Sequence, residues 1–165
     1  MNRILMTMLL ALPAMTMQTA DAGGILGTGM HLSVNARNAN AYNNHYIVLG
    51  ASVSYDVMDG VSVGMSIENW SGGNPGITNY SPFAQYVFDM APIVHPYVGA
   101  FYRHSSIGGL PALNSYGGRA GVMLSSGLGP TVSLGVVHES YLSCQSSIYK
   151  SCSETYPDIG MSMSF

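Results

Sequence analysis

A chain of 165 residues is sized for one domain. Asp, Glu, Lys and Arg make up only 8% of it, against roughly 25% in soluble domains, which argues against an ordinary solvated surface. Hydrophobic residues at 47% argue against a disordered chain, and a net charge of −3 leaves no basic footprint for nucleic acid.

Residues 1–22 read as an export leader. Arg3 supplies the charged start, Ile4 to Met15 the apolar stretch, and Ala20 and Ala22 the small residues before a cut after Ala22. The apolar run is too short for a spanning helix, and no later stretch is longer. A membrane protein without such a helix must be a closed barrel, because only helices and barrels satisfy their backbone in lipid. The remainder, 23–165, forms the one expected domain.

Eight strands are expected there. They run Gly24 to Asn35, His45 to Asp56, Val61 to Trp70, Asn79 to Asp89, Val94 to His104, Tyr116 to Ser125, Pro130 to Tyr141 and Tyr156 to Phe165. Three connections, 57–60, 90–93 and 126–129, are four residues long. The other four, 36–44, 71–78, 105–115 and 142–155, are longer. Long and short alternate, as in an outer-membrane barrel with short periplasmic turns and long extracellular loops. The strands alternate with period two. Val61, Val63, Met65 and Ile67 oppose Ser62, Gly64, Ser66 and Glu68, and Ile159, Met161, Met163 and Phe165 oppose Asp158, Gly160, Ser162 and Ser164. The polar face is small, rich in Gly and Ser, and suits the inside of a narrow tube. The fold class expected is therefore all-β, an eight-stranded antiparallel transmembrane up-and-down barrel.

With these features the chain resembles the small eight-stranded outer-membrane barrels, a group that includes OmpA, OmpX and OmpW. The closing stretch, Tyr156 to Phe165 with its alternating apolar residues and terminal Phe165, resembles the group's C-terminal assembly signal. The resemblance implies a bacterial outer-membrane location, contact with outer-membrane lipids and lipopolysaccharide, and assembly by the barrel-insertion machinery.

Eleven charged residues remain once Arg3 and Asp21 leave with the leader. Glu68, Arg103, Arg119, Glu139 and Asp158 are expected to point inward at one level near the extracellular ends, with Arg119 and Glu139 paired across neighbouring strands. The plain reading is an ion-pair layer that plugs the barrel, and the sharper one is a gate or ion site. Tyr55, Tyr86, Phe88 and Phe165 are expected at the periplasmic interface and Tyr80, Tyr102 and Tyr116 at the outer one, as aromatic girdles. Cys144 and Cys152 lie in the longest loop of an exported chain and are expected to form a disulfide.

One group of eight-stranded barrels removes an acyl chain from lipid A with a His and a Ser two residues apart plus a Glu. His104 and Ser106 resemble that pair. Ile107 stands where the group has Asn, and the nearest later acid, Glu139, is expected to face inward. His45 and His138 reach the outer rim, where contact with lipopolysaccharide is the plain reading. No metal or cofactor site is expected. The sequence points to a non-enzymatic structural or surface-interaction role through the extracellular loops. A narrow small-solute or ion channel is the alternative, and a lipid A-modifying hydrolase stands behind both.

Overall fold

The computed structural model describes residues 29–41, 44–125, 130–142 and 152–164. They form eight antiparallel strands: β1 (Met30–Ala41), β2 (Asn44–Met58), β3 (Val61–Ser71), β4 (Ile77–Val87), β5 (Val94–Ile107), β6 (Leu113–Leu124), β7 (Thr131–Tyr141) and β8 (Ser153–Ser164). Each pairs with its neighbour in sequence, and β1 pairs with β8, which closes the barrel.

The faces separate by period two. Leu32, Val34, Leu49, Val53, Met65 and Ile67 stand on the outer face, each roughly half exposed. Ser33, Gly50, Ser52, Ser66 and Ser133 stand on the inner face. An apolar belt of this kind marks a surface made to meet another apolar surface or medium. Tyr55, Tyr86 and Phe88 lie on the outer face at the short-turn end, where the Tyr86 and Phe88 rings meet edge to face at 4.7 Å. Tyr80, Tyr102 and Tyr116 lie on the same face toward the long-loop end, Tyr102 paired with Tyr116. Phe165 lies outside the described residues.

Several strand ends differ from expectation. The first strand spans Met30–Ala41 rather than 24–35, and residues 24–28 lie outside the described residues. β2 starts at Asn44, β4 at Ile77, β6 at Leu113 and β8 at Ser153, and β5 runs on to Ile107, so the connections expected over 36–44, 71–78, 105–115 and 142–155 shrink to 42–43, 72–76, 108–112 and 142–152. Of these, 142–152 alone exceeds the turns 59–60, 88–93 and 125–130 at the other end, which corrects the expected alternation of long and short connections. The cause is common to all. Arg37 and Ser115 read as loop residues, yet they continue the inward half of the alternation and find polar partners in the lumen. The tight β2–β3 turn uses Gly60 at φ 73°, a left-handed conformation that other residues rarely adopt.

The seams are unequal. Among the described residues, seven of them hold nine to twelve paired positions each, whereas β1 and β8 pair at five, His31 to Asn35 against Ser164 to Gly160. Above Asn35, the described residues of β1 pair with β2, and above Gly160, those of β8 pair with β7.

Candidate functional site

The inward residues stack in four levels. Nearest the long loops is an apolar cluster of Tyr46, Ile77 and Ile107, packed against Trp70 and Leu113. The Tyr46 hydroxyl donates to the Pro75 carbonyl at 2.9 Å and so ties the β3–β4 connection over the mouth. Sequence reasoning missed this cap because Ile77, Ile107 and Leu113 fell in expected loops. The period-two pattern, continued past those assigned ends, is the signal that reaches them.

Directly beneath lies a charged network. Arg37 on β1 donates to Glu68 on β3 at 3.1 Å, and Asn79 on β4 donates to the same carboxylate at 3.2 Å. Arg103 on β5 lies 3.6 Å from Glu68 and donates to Glu139 on β7 at 2.6 Å. Its Nε donates to Ser81 at 3.2 Å. Glu139 also accepts from Tyr156 at 2.8 Å and from the Ser115 hydroxyl. Glu68, Arg103 and Glu139 are 5%, 7% and 1% exposed, so three buried charges share one network. The Arg37 guanidinium stacks over the Tyr156 ring at 4.3 Å and faces Trp70 at 5.2 Å. Gly50 makes room for the network: a Cβ there would meet Asn35 Cγ at 2.9 Å and Glu68 Cγ at 3.1 Å. Arg37 was missed as a member because it was assigned to a loop.

Arg119 and Asp158 belong to a lower level, which corrects the single-level expectation. The expected Arg119–Glu139 pair does not form. Arg119 is in register with Val137, and Glu139 with Gly117. Arg119 sits four residues below Ser115 along β6, about 13 Å by strand rise. Its guanidinium lies over the Phe83 ring at 4.4 Å, and its Nε is buried without a hydrogen-bond partner.

Arg119, Asp158, Tyr97 and Phe83 line a cavity of about 100 Å³ roofed by Glu68 and Arg103. A second cavity of about 50 Å³ continues toward the short-turn end, and the two share Ser33, Ser54, Gln85, Met123 and Ser162. At the lowest level His31 and Asp56 meet at 2.7 Å, and buried His95 lies 3.7 Å from Asp89.

The outer rim carries two imidazoles held from the neighbouring strand. His104 Nδ1 lies 2.7 Å from Asn114 Oδ1, and His138 Nδ1 lies 2.8 Å from the Thr155 hydroxyl. Ser106 shares the outer face with His104, whereas Glu139 is buried in the lumen on the opposite side of the wall. Cys144 lies outside the described residues, and Cys152 is not a free thiol. Among the described residues no group of three or more His, Cys, Asp or Glu is placed to hold a metal ion.

No family model matches the sequence, and no curated protein matches it. Among the solved structures that share its architecture are two small barrels. The N-terminal β-barrel domain of Pseudomonas aeruginosa OprF aligns with a TM-score of 0.63 and 16% identity, over 84% of this chain and 98% of that one. Neisserial surface protein A (NspA) aligns with a TM-score of 0.55 and 15% identity, over 82% and 95%. At these identities the likeness is one of fold. The chain is an all-β, eight-stranded closed antiparallel barrel of the kind these small outer-membrane proteins use.

Proposed function

We propose that the chain is an integral barrel of a bacterial outer membrane, with a structural or surface-interaction role carried by its long-loop end. In this reading residues 1–22 are its export leader, the short turns face the periplasm and the long loops face outward. The observation that carries the role is the doubly closed lumen. The Tyr46–Ile77–Ile107 cap sits on the Arg37–Glu68–Arg103–Glu139 network, leaving the loops as the surface for a partner. The apolar belt and the Tyr80, Tyr102 and Tyr116 girdle support contact with lipid and lipopolysaccharide. The alternation ending at Phe165 supports recognition by barrel-assembly machinery.

A narrow channel is the second reading, favoured by the two adjoining cavities below the network. Eight strands leave an interior just wide enough for side chains to fill. Planar-bilayer recording of the refolded protein separates the two. Silence or rare small openings fit the closed barrel, whereas steady porin-scale conductance overturns it. A Cys144–Cys152 bridge belongs to the same reading, because export meets an oxidising compartment. Thiol alkylation should add mass only after reduction, and alkylation of the unreduced protein would refute the bridge.

A further inference from the structure

Below the charged network the lumen holds a cationic and an anionic side chain that do not meet. Arg119 on β6 and Asp158 on β8 both line the cavity of about 100 Å³. Each lies within electrostatic reach of the other and of Tyr97 on β5. Among the described residues, however, none of the three makes an ion pair or a side-chain hydrogen bond. Glu68 and Glu139 above them each accept from several donors. A charge held away from bulk water is costly without partners, so the space between Arg119 and Asp158 calls for an occupant.

The backbone around the cavity leaves room for these polar groups. A Cβ on Gly99 would meet Arg119 Nε at 3.2 Å and Cγ at 3.3 Å, and a Cβ on Gly135 would meet the Tyr97 hydroxyl at 2.5 Å. Gly135 is in register with Asp158, so the hydroxyl that crosses from β5 ends beside the rung of the β8 carboxylate. The Phe83 ring lies 4.4 Å from the Arg119 guanidinium and holds one of its faces. Arg119 Nε is buried, and the remaining donors of the guanidinium open on the cavity.

The two charges select the guest. An anion that reaches Arg119 is repelled by Asp158, and a cation that reaches Asp158 is repelled by Arg119. An uncharged guest leaves both without an ionic partner. A small zwitterion satisfies both: its carboxylate accepts from Arg119, and its ammonium donates to Asp158 and to the Tyr97 oxygen. Charge-assisted bonds of this kind are the strong ones. Serine hydroxyls and the Phe101 ring complete the wall. A volume of about 100 Å³ holds about seven waters at roughly 10–15 Å³ each, which is room for a guest of about six or seven non-hydrogen atoms.

We infer that the lumen below the charged network is a binding site for a small zwitterion of the α-amino acid class, held between Arg119 and Asp158. Glu68 and Arg103 roof the site and the Tyr46 cap lies above them, so the guest comes from the short-turn end, where the smaller cavity adjoins. The site is separate from the role proposed for the loops and needs no opening in the wall.

The test uses the full mature protein refolded in detergent, with isotope-labelled L-alanine and equilibrium dialysis. One alanine per barrel is expected to bind saturably, in the millimolar range or tighter. Acetate and methylammonium each carry one of its two charges and should bind roughly tenfold more weakly, the effect of losing a hydrogen bond to a charged group. Phenylalanine, too large for the cavity, should not compete. Arg119→Met and Asp158→Asn should each weaken alanine binding roughly tenfold, and Tyr97→Phe about fivefold. Retained heat-dependent gel mobility shows that each variant is folded, and the comparison of ligands needs only the wild-type chain. Absence of saturable alanine binding overturns the site. Equal binding of alanine, acetate and methylammonium, displacement by phenylalanine, or unchanged alanine binding in the folded variants overturns it as well.

Discussion

Arg103 is the residue on which the interior depends. It spans two carboxylates that sit on strands two positions away on either side, Glu68 on β3 and Glu139 on β7. Replacing it with Ala strands both acids with fewer donors in a buried setting, and removing one member of such a network costs about 3–5 kcal/mol. Arg119 holds no carboxylate directly, and its ring contact with Phe83 accounts for about 0.5–2 kcal/mol. Urea unfolding in detergent should therefore show Arg103→Ala as clearly the more damaging of the two, and equal midpoints would contradict the network. The sequence carried the inward direction of both arginines, because direction follows from period two. It did not carry their partners. A long guanidinium reaches across a narrow lumen, so neighbouring position along the wall is a poor guide to contact. Arg119 and Glu139 were paired on that guide, and register sets them apart.

At the scale of elements, the legible part was the centres of β2 to β8 and the site of the β2–β3 turn. The strand ends were hidden by polar residues whose partners are remote in sequence. Arg37 reads as loop until Glu68 is found 31 residues away. The cap over the mouth gives these extended ends a task. Tyr46→Ala removes a buried ring and its bond to the Pro75 carbonyl, and should speed proteolysis within residues 72–76 while leaving the barrel assembled. Unchanged cleavage would mean that the connection is held by other contacts. On β8, Ile159 and Met161 hold the outer face, and the same alternation carries on to Phe165. Phe165→Asp should lower the yield of assembled barrel more than Ser164→Ala, because a charge on the lipid side is costly. Equal yields in heat-modifiability gels would refute that assignment.

For the whole molecule, closure is the defining property. Every strand has a partner on both sides for at least part of its length, so denaturants find little free edge. Unboiled protein in detergent should migrate as a compact species distinct from the boiled chain. Fractionation should place it with membranes, and a protein recovered soluble would overturn the reading. Low charge, period-two alternation and strand count made this level the most readable in the sequence, since they are averages over many residues. The function of the interior depends on single contacts and was correspondingly hard to read.

The separation of an apolar outer wall from a crowded polar lumen also governs how such a chain can change over time. On the outer face, Leu49, Val53, Met65 and Ile67 stand clear of the chain's own packing, so exchange among aliphatic residues meets little steric resistance. One position along, Gly50 and Gly64 face neighbours a Cβ would overlap, and even a methyl group is resisted. Tolerance to substitution should thus oscillate residue by residue along each strand, for volume in one direction and for polarity in the other. Drift would then erase identity on the outer side while keeping hydropathy, so related barrels can share a backbone long after their sequences have ceased to align.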